Sequence, residues 1–217
     1  MGKWPETRED ASIVQKEISG QVVIAPLEHE ITTVAGIDAA YVQDMTIASV
    51  SVFDYKSLEC IGEYHHILKT SFPYIPGYLS FREGPAILAA FGKMKTLPDL
   101  LIFDGQGIAH PRRAGIASHL GVLLNIPSIG CAKSRLVGEY EKPCPEKGSW
   151  SPLLYHGETV GAALVTRTGC RPVFISPGHR VTLQEALEII LKLSPRYRIP
   201  EPIRSADSLA KRLKLTT

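Results

Sequence analysis

The sequence is short of cysteine, of long apolar runs and of net charge, and each shortage removes a class of protein. Cys60, Cys131, Cys144 and Cys170 are its only cysteines in 217 residues, and none forms a C-x-x-C pair. They suggest neither a zinc site nor a disulfide framework, which fits a reducing compartment. No segment approaches the roughly 18 unbroken apolar residues of a membrane span. Residues 1–10 are charged and lack the apolar core of a secretory signal. A cytoplasmic protein with no membrane partner is expected. The formal charge of +2 permits a polyanionic partner without arguing for one. Local clusters say more: Arg112-Arg113, Lys133 with Arg135, and Arg204, Lys211, Arg212 and Lys214. On one face they would bind phosphate; scattered, they are solvated helix charges.

What remains is an ordinary soluble composition, 44% hydrophobic and 21% charged, in a chain long enough for one sizeable core. No repeat, low-complexity tract or linker interrupts it, so residues 1–217 read as a single domain. A first helix is expected over 7–19 with Thr7 as its cap. Three strands follow at about 34–40, 46–55 and 58–69, with connections short enough for an antiparallel meander. Pro73-Tyr74-Ile75-Pro76-Gly77 denies the backbone its ladder bonds and must be a loop. A helix over 79–95, a strand over 99–104, a helix over 114–124 and a short strand over 128–131 come next. Residues 139–158, with Pro143, Pro145 and Pro152, read as an insertion loop. Strands near 159–166 and 172–176 precede Thr182-Leu183-Gln184-Glu185, a capping-box signature. Pro200 and Pro202 then precede a basic terminal helix. The fold class is α/β: three antiparallel strands, then parallel strands, in a mixed sheet flanked by helices. That order is the one used by ribonuclease H-like nucleases and integrases.

The most informative stretch is Phe103-Asp104-Gly105-Gln106-Gly107, directly after the apolar run from Leu100. It reads as a buried strand delivering a carboxylate to its C-terminal end, where open α/β sheets place ligands and glycine lets them approach. Asp38 ends a second apolar strand, and Glu83 opens a helical segment. Three acids converging on one sheet edge would suit a divalent metal. Glu83 could instead return a capping hydrogen bond to Ser80, and Asp207 could pair with Arg204 or Lys211 on a helix surface. His110 and Lys133 suit phosphate contacts, or are a turn residue and a surface charge. His179, in a glycine turn before a helix, fits an anion site or a structural role. His119 lies in an apolar helix and reads as a core histidine.

Several segments together resemble the endonuclease V family. They are Val34–Tyr41 (VAGIDAAY), Phe72–Glu83 (FPYIPGYLSFRE), Pro98–Gly107 (PDLLIFDGQG), Ile108–Arg113 (IAHPRR) and Gly115–His119 (GIASH), with Ile129–Arg135, Ser176–Arg180 and Ile199–Asp207. The likeness is weak over the first thirty residues and over 139–158. It implies a magnesium-dependent nuclease, with manganese as a substitute, acting on inosine in DNA, with RNA as a second candidate substrate. The implied cut is at the second phosphodiester bond 3′ to the lesion, leaving 3′-hydroxyl and 5′-phosphate ends. Asp38 and Asp104 are the implied primary metal ligands, with Glu83 and Asp207 completing the set and His110 and Lys133 near the scissile phosphate. Gly77, Leu79, Gly105, Ile116 and Gly130 are implied to line the base pocket, and Tyr74 to wedge into the gap left by the flipped base. A monomer is expected. Rivals are a junction-resolving nuclease, a non-catalytic binder of modified nucleic acid and a metal enzyme on a small substrate.

Overall fold

Alternating buried side chains from strands with covers on both faces shape the whole molecule. The computed structural model describes residues 4–216. Helix α1 (Arg8–Gln21) is capped by the Thr7 hydroxyl, which accepts from the Asp10 N–H. Strands β1 (Thr33–Val42), β2 (Met45–Asp54) and β3 (Cys60–Lys69) form the antiparallel meander. Helix α2 (Leu79–Phe91), β4 (Leu100–Phe103), α3 (Ile116–Leu124) and β5 (Ser128–Ala132) follow. Then come β6 (Trp150–Tyr155), β7 (Glu158–Leu164), β8 (Val173–His179), α4 (Leu183–Lys192) and α5 (Glu201–Thr216). All eight strands join one sheet in the order β3-β2-β1-β4-β5-β8-β7-β6. Among the described residues no helix is long and apolar enough to cross a membrane.

Alternate residues of each strand face opposite layers. Val34, Leu100, Ile102 and Ile129 pack with α4 and with Ile203 of α5. Ala35, Ile37, Leu101 and Phe103 pack with α2 and α3. Asp38 and Asp104 continue the Val34 and Leu100 series by period two, so they belong to the α5 side of the sheet. α4 carries both halves of the capping box, Thr182 accepting from Glu185 N–H and the Glu185 carboxylate from Thr182 N–H.

The structure corrects four expectations about the fold. Residues 139–158 are not all loop: β6 pairs with β7 in a hairpin turned at His156-Gly157, both with positive φ. Pro152 hid the strand, yet it is tolerated because β6 is an edge of the sheet. Second, β8 runs antiparallel to β5, and β7 and β6 continue antiparallel, so only β1–β4 and β4–β5 are parallel. Third, α2 stops at Phe91, with Gly92 at its end. Fourth, α5 begins at Glu201, so Pro202 lies inside its first turn, where a missing N–H costs nothing.

α5 reaches the sheet through Gly36. A Cβ built there would lie 2.5 Å from the Ile203 nitrogen and closer still to the Pro202 carbonyl group. Gly36→Ala is therefore expected to destabilise the protein by about 1–3 kcal/mol, which for a chain this size is roughly 3–10 °C in melting temperature. Gly20→Ala, in α1 with no neighbour within 4 Å of the new methyl, should hold or raise it. Calorimetric melting of the two variants checks this; an unshifted Gly36→Ala contradicts the packing account.

Candidate active site

Parallel pairing of β1 with β4 sets Ile37 opposite Phe103, so Asp38 and Asp104 stand side by side where β4 ends. Contrary to the expectation from sequence, Asp38 does not end its strand, because β1 continues along β2 to Val42. The Asp104 N–H donates to the Ile37 carbonyl at 3.0 Å, which carries the ladder one step further. Burial and then the charge of Asp104 push the Asp38 carboxyl up to about 7, against the lowering effect of Lys133. Glu83 enters from α2, only 8% exposed, and accepts the Tyr41 hydroxyl at 2.6 Å. Its carboxyl rises to about 8, first through burial and then through Asp38 and Asp104, although the Tyr41 hydrogen bond and Arg82 work the other way. The capping alternative for Glu83 falls away: Tyr78 is the N-cap, without a side-chain bond, and the Ser80 hydroxyl pairs with His119 Nδ1 at 2.9 Å.

Lys133, just beyond β5, places its ammonium on Asp104 Oδ2. Burial disfavours that charge, but the hydrogen bond that Lys133 donates to Asp104 and the charges of Asp104, Asp38 and Asp207 outweigh it and raise the Lys133 pKa. Asp207 sits on α5 and pairs with Lys211 at 2.6 Å. Ser49, opposite Asp38 on β2, shares its hydroxyl proton between the Asp38 carbonyl at 3.0 Å and the Ala206 carbonyl at 2.8 Å. One buried side chain thus holds β1 and α5 together immediately beside both acids.

Among the described residues no three Asp, Glu, His or Cys side chains already stand as a metal cage. The donor set nonetheless suits a hard cation. Asp38 and Glu83 are raised by burial first and then by neighbouring carboxylates, Asp104 acting on both, so the site would gain from a cation. Oxygen donors of this kind fit magnesium, which needs few protein ligands.

Beside Asp104 opens a cavity of about 340 Å³, lined by Tyr74, Gly77, Leu79, Gly105 and Ile116 among others. Tyr74 projects from the proline loop, 70% exposed. Gly77 has φ of +81°, and three donors converge on its carbonyl: Gln15 Nε2 at 2.8 Å, His110 Nε2 at 2.8 Å and Arg112 Nη2 at 3.1 Å. Two expectations change here. Gly130 does not line the cavity; it lies beneath it, where a Cβ would come within 2.7 Å of the Gly105 carbonyl oxygen. His110 is no free phosphate contact. Its Nδ1 accepts the Arg112 N–H at 3.1 Å, its Nε2 serves Gly77, and burial lowers it to about 4, so the ring is neutral and fully engaged. His119 is a buried, uncharged core histidine, also lowered to about 4. His179 is buried, accepting the Val23 N–H at 3.3 Å.

Sequence reasoning missed Gln15, Tyr41 and Ser49. Gln15 carries Gly77 and Ala114 carbonyls and accepts from Arg112 Nε at 2.5 Å. A lone buried glutamine on an exposed-looking helix was the one available signal.

A mixed sheet that carries paired acids where β4 ends against β1, beside a cavity, defines an α/β protein with an acidic site on its sheet. The profile of the Endonuclease V family matches residues 16–208. The chain is 50% identical over 210 residues to the endonuclease V of Nostoc punctiforme, covering 95% of each. The crystal structure of endonuclease V from Streptomyces avermitilis superposes with a TM-score of 0.93 at 44% identity, covering 99% of this chain and 96% of that one. Endonuclease V from Ciona intestinalis, crystallised with DNA containing an inosine followed by a ribo-adenosine, gives 0.83 at 27% identity, with 96% and 98% covered. The chain belongs to the endonuclease V family, as the resemblance in its motifs implied.

The raised carboxyls have a consequence for stability. A carboxyl whose folded pKa lies above its unfolded value penalises folding as pH rises from the unfolded value, about 4, towards the folded one. In metal-free buffer Asp38 and Glu83 oppose folding increasingly between about pH 4 and pH 8. His110 and His119, lowered to about 4, favour it as pH rises from there towards the ordinary histidine value, so the Asp38 contribution is read as a difference between variants. Asp38→Asn should be the more stable protein at pH 8, by about 4 kcal/mol at most, with the gap closing near pH 4. Melting both proteins in EDTA across that range is the check; a gap that widens at low pH has the wrong sign.

Proposed function

We propose that this protein is a magnesium-dependent endonuclease that takes an inosine base into the cavity beside Asp104 and hydrolyses the second phosphodiester bond on its 3′ side. The products are 3′-hydroxyl and 5′-phosphate ends, and inosine-bearing DNA and RNA strands are both candidate substrates. The observation that carries the reading is the cavity's position. A base-sized pocket shares Asp104 and Lys133 with the acid cluster, in a member of a nuclease family.

Bound magnesium would supply neutralisation of phosphate charge and a more acidic water. The chain's own groups do the rest. Asp38 and Asp104 hold the cation, with Glu83 and Asp207 closing the set directly or through water. Tyr41 keeps Glu83 aimed at the strand ends. Lys133 has donors beyond the one on Asp104 and offers them to a phosphate oxygen. Hypoxanthine presents O6 as acceptor and N1–H as donor and lacks guanine's 2-amino group. Backbone groups of Gly77, Leu79, Gly105 and Ile116 select it, because rigid N–H and C=O groups cannot adapt to another base. The N–H groups of Leu79 and Ser80, which open α2, have no intrahelical acceptor and suit O6. His110, Arg112 and Gln15 act as positioning residues by holding the Gly77 carbonyl. Tyr74 fills the gap that the extruded base leaves.

Asp104→Asn keeps shape and removes charge, so nicking of inosine strands in magnesium should be lost while binding persists. Near wild-type cleavage by that variant overturns the metal assignment. Calcium should support binding without efficient turnover, because its looser coordination misplaces the attacking water. For the wedge, base–aromatic stacking of roughly 1–3 kcal/mol makes Tyr74→Ala about tenfold to a hundredfold weaker on duplex, less so on single strands. Tyr74→Phe should stay close to wild type in affinity and single-turnover nicking; equal damage in both variants contradicts the wedge.

A further inference from the structure

We propose that a second cleft, which shares Lys133 with the base cavity and ends on Asp207, holds the strand segment lying 3′ of the scissile bond. This rests on the nuclease reading above and extends it to the path of the substrate.

The cleft has a volume of about 350 Å³ and is lined chiefly by Lys133, Arg167, Tyr197, Arg198, Arg204 and Asp207. Four cations thus face one carboxylate, a balance suited to a polyanion. Their tasks differ. Arg198 is spent on architecture: its Nε donates to the Arg171 carbonyl at 2.8 Å, and its Nη2 to the carbonyls of Lys133 at 3.0 Å and Pro172 at 2.8 Å. It braces the end of β5 against the β7–β8 turn. Arg204 lies over the Tyr197 ring at 3.4 Å and is anchored by Glu201 at 2.8 Å. The guanidinium covers one side of the ring and holds it in place, yet Tyr197 remains 41% exposed. Arg167 projects from the β7–β8 turn and makes no side-chain hydrogen bond or ion pair among the described residues. Neither Arg167 nor the open part of Tyr197 has a structural task.

A held aromatic ring beside an unpaired guanidinium group is a pairing that binds single strands without regard to sequence: one element stacks a base, the other takes phosphate. The proposed cut sets the polarity. The lesion enters the first cavity, the bond cut is the second on its 3′ side, and Lys133 lines both cavities, with Asp104 on the first and Asp207 on the second. A strand running 5′ to 3′ from the lesion therefore leaves the acids on the Asp207 side and enters the cleft. Tyr197 stacks a base of that segment and Arg167 meets its phosphate.

The test measures fluorescence anisotropy in EDTA with two inosine-containing single strands, one ending at the first nucleotide beyond the expected cut and one extended by several more. Wild type should bind the longer strand about tenfold tighter, the scale of one stacked base. Arg167→Ala combined with Tyr197→Ala should remove most of that gain, while Tyr197→Phe and the remote charge variant Lys56→Ala keep it. Arg167→Ala alone should reduce the salt slope for the longer strand by about 0.7. In magnesium the double variant should raise KM for the longer strand and leave kcat unchanged. A wild type that binds both lengths equally, a double variant that retains the gain, or an equal loss in Lys56→Ala overturns the proposal. So does a fall in kcat at unchanged KM, which would place these residues in the chemistry. If wild type nicks neither strand the nuclease reading fails, and the binding measurements still decide the cleft.

Discussion

Two carboxylates forced side by side where β4 ends against its parallel neighbour β1 are the constraint around which the rest of the site is arranged. The Ile37–Phe103 pairing leaves Asp38 and Asp104 no choice of place, and their mutual repulsion in a partly buried setting is unfavourable. Lys133 offsets part of it, while burial first and the neighbouring acids after it keep the carboxyls of Asp38 and Glu83 raised. Strain of this kind persists when surrounding packing over-determines it, and such perturbed groups cluster where chemistry is done. Here the packing is that of two apolar layers on either side of an eight-stranded sheet.

Each acid outside the β1–β4 pair needs its own restraint. For Asp207 this is the close passage of Pro202 over Gly36 and the Ser49 hydroxyl joined to the Ala206 carbonyl. For Glu83 it is the Tyr41 hydroxyl, with the Arg82 guanidinium 4.4 Å above the Tyr41 ring. The cavity is restrained in the same manner, through three donors on the single Gly77 carbonyl. Side-chain hydrogen bonds to a backbone carbonyl therefore set the shape of the cavity.

Much of this was legible in the residues, and the reasons differ from element to element. The meander strands, α2, β4 and α4 carry strong periodicity or a capping box, which local physics suffices to read. Asp38 and Asp104 stood out because a carboxylate directly after an apolar run is conspicuous, although β1 continues past Asp38 to Val42. β6 was lost because a proline argues against a strand unless the strand is known to be an edge, and edges are a property of the finished sheet. The antiparallel direction of β8 was lost for the same reason. Gln15, Tyr41 and Ser49 act across 62, 42 and 157 residues of chain, and no local pattern reports such partners. Gly130 and His110 were placed in the right neighbourhood, but one lies beneath the cavity and the other has both ring nitrogens engaged.

The central claim is that the acid pair cuts a strand at a set distance from an inosine held in the neighbouring cavity. The direct measurement is to map, at single-nucleotide resolution, the products of the wild-type protein on a labelled strand with one inosine, in magnesium and in EDTA. The account predicts one magnesium-dependent cut at the second bond 3′ to the inosine, leaving a 5′-phosphate, and no cut when adenine replaces inosine. Cleavage that persists in EDTA, or that falls without regard to the inosine, would contradict it.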